Sequence, residues 1–150
     1  MFIPSHAFHA LAAAPSLSST ALLLDAADEG AAFMLRVPKT GNISKVLWAT
    51  RTVTSGATLA LRGETFDETV NPAIPSGTLY HANFTAAPVI VNTDDNIAVL
   101  STLAAAVAVT RGDKLAIVIK QPAASFGNMQ IAGFPDDICD FPYALLNTGV

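Results

Sequence analysis

Val109-Thr-Arg-Gly-Asp-Lys-Leu-Ala-Ile-Val-Ile119 decides the fold class. Leu115, Ile117 and Ile119 alternate with Lys114, Ala116, Val118 and Lys120, the period-two pattern of a strand with two different faces. Ala106–Thr110 is a second apolar run, and Arg111-Gly112-Asp113 links the two. Alternating runs around a short glycine-containing link predict a β-hairpin.

The same grammar extends outward. Thr20–Ala26 reads as a first strand, ended by Asp28-Glu29-Gly30. In Ala31–Val37 the residues Phe33, Leu35 and Val37 face one way and Arg36 the other. Pro38–Asn42 is a turn, because proline cannot donate to a ladder and Gly-Asn tolerates positive φ. Ile43–Val53 is a β-branched run with Val46 and Trp48 on one face, broken at Ser55-Gly56. Thr58–Leu61 places Leu59 and Leu61 together and leads into the polar Gly63–Thr69. Asn71–Gly77, with two prolines and a glycine, is expected to be a loop.

Thr78–Phe84 and Val89–Val91 follow as strands, with Asn92–Asn96 as a turn. In Ile97–Val109 the alanine-rich Leu103–Val109 favours helix by composition, but Val107 and Val109 lead into the hairpin; the second half is expected to be strand and the first half is open between helix and strand. Met129–Ala132 and Tyr143–Leu146 close the series. About eight or nine short strands at near-regular spacing, without interleaved helices, describe an all-β antiparallel sandwich or barrel.

The whole chain has 150 residues, one domain's worth, able to bury roughly 70% of its unfolded surface. It is 51% apolar and only 13% charged, which excludes intrinsic disorder and leads us to expect neighbours over part of the surface. The net charge is −4 and the basic residues are scattered singly, arguing against nucleic acid or an anionic membrane as partner. One cysteine, Cys139, excludes an intrachain disulfide framework. Met1–Leu24 is apolar and free of Lys and Arg, so it lacks a secretory n-region. Pro4 and Pro15 interrupt it too early for a membrane span. Residues 1–20 therefore read as an irregular N-terminal arm and residues 21–150 as the sandwich domain.

Catalytic constellations are hard to assemble. His6 and His9 are spaced i, i+3 without a companion carboxylate pattern, and His81 lies in an expected strand. Cys139 sits in Asp136-Asp137-Ile138-Cys139-Asp140, where neighbouring negative charge opposes a thiolate. No G-x-S-x-G elbow or Gly-rich phosphate loop occurs. Asp94-Asp95 in the Asn92–Asn96 turn suits calcium, but turns favour Asn and Asp for conformational reasons as well. Arg111-Gly112-Asp113 matches an integrin-recognition tripeptide and is more economically a turn. Trp48 belongs to the core, whereas Tyr80 beside His81 is the better surface candidate for stacking on a sugar. The candidate binding residues are Tyr80, His81, Asp94 and Asp95. No cofactor, metal or catalytic residue is expected, and the chain is expected not to be an enzyme.

The segments Phe33–Ile43, Val53–Leu59 and Val109–Ile119 together resemble jelly-roll domains in structural proteins of tailed bacteriophages. Phe141–Val150 looks like the exit from the first such domain of a longer chain. The resemblance spans about Ala21 to Val150 and implies a jelly-roll-like sandwich with no catalytic residues to carry over. It also implies a virion protein, most readily a capsid decoration (cement) protein. Its partners would be the major capsid protein or other virion subunits, and copies of itself as a homotrimer. The alternative is a tail, fibre or carbohydrate-binding module recognising a host glycan.

Overall fold

The computed structural model describes residues 21–69 and 73–132. The arm at 1–20, His6, His9, Asp136, Asp137, Cys139 and the expected strand Tyr143–Leu146 lie outside the described residues.

Within them, eleven strands form: β1 Ala21–Leu24, β2 Gly30–Arg36, β3 Gly41–Ser55, β4 Ala57–Thr58, β5 Ala60–Asp67, β6 Ile74–Leu79, β7 Thr85–Ala86, β8 Val89–Ile90, β9 Ala98–Val109, β10 Lys114–Lys120 and β11 Asn128–Ala132. One sheet runs β1-β11-β3-β9, the second runs β2-β10-β5-β6 with β7 beside β5, and β4 pairs β8 in a small third sheet. Every pairing is antiparallel. The outermost strands in sequence pair with each other, then the next inward: β1 with β11, β2 with β10, β3 with β9, β5 with β6. This nested pairing, wrapped into two facing sheets, is the order of a jelly roll. The fold is an all-β antiparallel sandwich.

The core lies between the two sheets. Phe33, Val46, Trp48, Leu61, Leu115, Ile117, Ile119, Met129 and Ile131 belong to one buried cluster. Trp48 donates its indole N–H to Ser101 Oγ at 2.8 Å, and both are buried. On β5, Gly63 lies under the ring of Phe84: a Cβ there would come within 2.3 Å of Phe84 Cγ. The missing side chain is what lets the ring close the core.

Several expectations change. The runs flanking Arg111-Gly112-Asp113 are not a paired hairpin, since β9 pairs β3 in one sheet while β10 pairs β2 and β5 in the other. Alternation fixes which face a strand buries; it does not name the neighbour. The strand expected at Thr78–Phe84 begins earlier as β6, and Tyr80–Asn83 is a bend and turn. Pro75 is tolerated in β6 because that strand is at the sheet edge, pairing only β5. The polar Gly63–Thr69 is largely strand, as β5 runs to Asp67. The residues from Gly30 to Met34 in β2 are buried on both faces. The open first half of Ile97–Val109 is strand from Ala98 onward.

Candidate functional site

Loops gather at the two ends of the sandwich, and the ends differ in chemistry. At the first end meet the β1–β2 turn, the Ser55–Ala57 link, the segment from Val89 to Ile97 and the loop after β10. Gln121 ties them together. It is buried, its Nε2 donates to the carbonyls of Leu24 and Gly127 at 3.2 Å each, and its Oε1 accepts the Gly127 N–H at 3.1 Å. Its own N–H donates to the Glu29 carbonyl at 2.7 Å. Next in chain, the Asn128 N–H donates to Ser55 Oγ at 2.9 Å. Gly56 lies so close to β8 that a Cβ would stand 2.0 Å from the Ile90 carbonyl oxygen.

Asp94 and Asp95 belong to this end, and their carboxylates fasten backbone. Asp94 Oδ2 accepts the Val91 N–H at 2.8 Å, and Asp95 Oδ1 accepts the Val53 N–H at 2.5 Å. The Thr50 hydroxyl donates to the Asp94 carbonyl, fixing the turn onto β3. Both acids thus hold the turn shut, and no group of three or more His, Cys, Asp or Glu side chains suited to a metal occurs among the described residues.

Beside the exposed Lys120–Asp28 ion pair of this end, several large apolar side chains point out. Among the described residues the exposed large apolar side chains are Leu23, Val89 (66% exposed), Val91, Ile97, Leu100 and Phe126 (46%). All stand at this end or on the strand residues nearest it. A shallow groove here is lined by Thr54, Ser55, Thr58 and Asn92 together with Val89 and Val91. Phe126 is next to Gly127, whose backbone packs on Ser55. Ser125 before it has φ 58°, a left-handed conformation uncommon for serine, so the clamped loop presents the phenylalanine in a costly backbone shape.

The opposite end is made by 37–40, 110–113 and the start of the β5–β6 connection. Val37 N–H donates to the Asp113 carbonyl at 2.8 Å and Gly112 N–H to the Val37 carbonyl at 2.7 Å. Several polar side chains here pair with one another. Lys114 pairs with Glu68. The Tyr80 hydroxyl donates to Asp113 Oδ2, which also accepts the Thr110 N–H at 2.7 Å. The bond to the carboxylate, assisted by burial, pushes the Tyr80 phenol up to about 12. The same bond, with that from Thr110, holds Asp113 below the usual carboxylate range. Asp67 is lowered likewise by the Thr69 hydroxyl and N–H.

Tyr80 is therefore half-buried against the core with its hydroxyl engaged, rather than an open platform. His81 is exposed, and its Nδ1 accepts the Asn83 N–H at 3.1 Å within the turn. The structure keeps Tyr80 and His81 adjacent but does not join them to Asp94 and Asp95. In comparison with known proteins, no family model, curated protein or solved structure matches the chain. Sequence reasoning missed Val89, Val91 and Phe126 as surface residues and Gln121 as their support. For Phe126 a signal was present, an aromatic between Ser125 and Gly127 in a stretch free of strand alternation.

Proposed function

We propose that this chain is a non-enzymatic virion structural protein of a bacteriophage, a capsid decoration or cement protein. In this reading it docks on the major capsid protein through the apolar end of its jelly roll and stabilises the shell by protein–protein contact. The observation that carries the reading is the segregation of exposed apolar side chains. Val89, Val91, Ile97 and Phe126 stand at one end of the sandwich, beside the Lys120–Asp28 ion pair, and among the described residues no large apolar side chain is exposed at the other end. Clustered exposed apolar residues mark interaction sites on soluble domains, and apolar burial is the main source of such contacts. The jelly roll is also a capsid architecture, which supports the reading by analogy of fold alone.

A second reading, a tail or glycan-binding module, draws on the groove, where Thr54, Ser55, Thr58 and Asn92 offer hydroxyl and amide groups beside aliphatic side chains. Antibody against the chain, applied to phage particles from the source and viewed by electron microscopy, separates the two. Label spread over heads is the expected result; label confined to tails favours the glycan reading, and unlabelled particles remove both virion readings. Within the first outcome, the double change Val89→Asp and Phe126→Asp is expected to abolish binding of purified protein to undecorated heads.

A further inference from the structure

The outer face of β2 is buried, although β10 lies beside that strand and β1 at its edge, neither of them over the face. Ala31, Phe33 and Val37 belong to the core cluster, so Ala32, Met34 and Arg36 lie on the opposite side of the strand. The same face continues onto β10, where Met34 is paired with Ala116 and Ala32 with Val118. The outward face of a two-layer sandwich normally carries polar residues; here four apolar ones sit together. Ala32 is 3% and Met34 7% exposed, and Ala116 is fully buried.

Neighbours within the sheet do not account for this burial. β2 is the last strand of its sheet and pairs only with β10, so Met34 is flanked on one side alone. Its nearest companions on the face are Ala32, Ala116 and Arg36, two of them small and the third exposed. Glu64, beyond Ala116, differs, because its carboxylate has described partners: the Arg62 guanidinium at 3.3 Å and the Gly77 N–H at 2.9 Å.

The cover belongs to this chain, since the burial is reached within a single copy. Three stretches lie outside the described residues, 1–20, 70–72 and 133–150. Residues 70–72 join β5 to β6, on the side of the sheet away from β2. Residues 1–20 carry no Lys, Arg, Asp or Glu, whereas 133–150 carries Asp136, Asp137 and Asp140. The cations that flank the apolar residues call for no acidic cover, because Lys120 pairs with Asp28, Lys114 with Glu68 and Arg62 with Glu64. Position agrees with chemistry. Residues 1–20 lead into β1, the outermost strand of its own sheet and the one beside β2, while 133–150 follows β11, one strand further in. Twenty extended residues reach roughly 60 Å, ample to turn that edge and cross two strands.

We propose that residues 1–20 fold back round the β1 edge and seal the outer face of β2 and β10 over Ala32, Met34, Ala116 and Val118. The segment is an intramolecular strap, and while seated it does not bridge to a neighbouring subunit. The inference stands apart from the virion reading, since it rests on the burial of this face.

The test is methionine oxidation by hydrogen peroxide in the full chain, followed by peptide mass spectrometry. Met129, in the core, is the internal reference. In the native chain Met34 is expected to oxidise as slowly as Met129. The triple change Ile3→Asp, Phe8→Asp and Leu11→Asp is expected to quicken Met34 at least about tenfold and to leave Met129 slow. Leu145→Asp with Leu146→Asp is expected to leave both slow. A Met34 that is fast in the native chain, or slow in the triple variant, would overturn the proposal. So would a Met34 quickened by the changes at 145 and 146, which would assign the cover to 133–150, or protection lost on dilution, which would seat the strap on a second copy. A Met129 that quickens equally in the triple variant would make residues 1–20 part of the core instead of a strap over one face, and overturns it too.

Discussion

The two ends of the sandwich differ in how much apolar surface they expose. At the end held by Gln121, side chains bond to backbone: Gln121 to Leu24 and Gly127, Asp94 to Val91, Asp95 to Val53. Loops fastened from within leave Val89, Val91 and Phe126 facing solvent. At the other end side chains bond both to one another, Tyr80 to Asp113 and Lys114 to Glu68, and to backbone, Asp113 to Thr110 and Thr40 to Arg111, and no large apolar side chain is exposed there among the described residues. A domain with its exposed large apolar groups at one end has a direction, and the docking proposed above uses that end.

The largest perturbation acts on the core that both ends share. Gly63→Val drives a side chain into the Phe84 ring and is expected to cost about 3 kcal/mol or more, read by urea denaturation on Trp48 emission. A loss below about 1 kcal/mol would mean that the ring has room to shift. Gln121→Ala separates the ends. It removes the partner of buried backbone groups at one end only, and about 2–3 kcal/mol is expected, with amide exchange quickened at Leu24 and Gly127 and unchanged at Asp113. Uniform quickening would show that the ends are not independent.

The charged end answers to pH instead. The Tyr80 phenol is higher in the folded chain than its ordinary value of 10, so folding favours its protonated form. That contribution is fully present below pH 10 and is lost as pH rises toward about 12. Asp113 is lowered, so its contribution is present above the usual carboxylate range and lost as pH falls through its folded value. Tyrosinate absorbance in a Tyr143→Phe background reads Tyr80 alone, because the chain has two tyrosines. Asp113→Asn is expected to return that titration toward 10, and an unmoved titration would assign the shift to burial instead. Smallest are the surface changes: Lys114→Ala, whose ion pair is solvent-exposed, and Phe126→Ser are each expected within about 0.5 kcal/mol. A larger loss at Phe126 would make its ring part of the fold rather than of a docking surface.

Much of the architecture is legible in the residues. The alternation of Leu115, Ile117 and Ile119, the strand carrying Val46 and Trp48, and the pair Leu59 and Leu61 all bury the face that their period assigns. Pro75 and Gly77 conceal β6, because turn chemistry and an edge strand tolerate the same residues. Of the candidate site, Tyr80 and His81 read as strand residues, and neither the turn they form nor its closure by Asp113, thirty-three positions beyond Tyr80, is legible in the sequence. Val89 and Val91 read as core strand residues because a periodic pattern does not reveal that their strand pairs with only two residues of β4.

By itself, then, the sequence determines strand against helix outside the first half of Ile97–Val109, the buried face of most strands and the absence of charge along β9, since these follow from side-chain chemistry at a period of two. Which strands are neighbours is decided only in the tertiary structure. Alternation constrains faces locally, whereas pairing β1 with β11 and sending β9 and β10 to different sheets depends on the closing of one core across the whole chain. The same closure gathers the exposed large apolar side chains of the loops at one end, because each end is assembled from segments far apart in sequence.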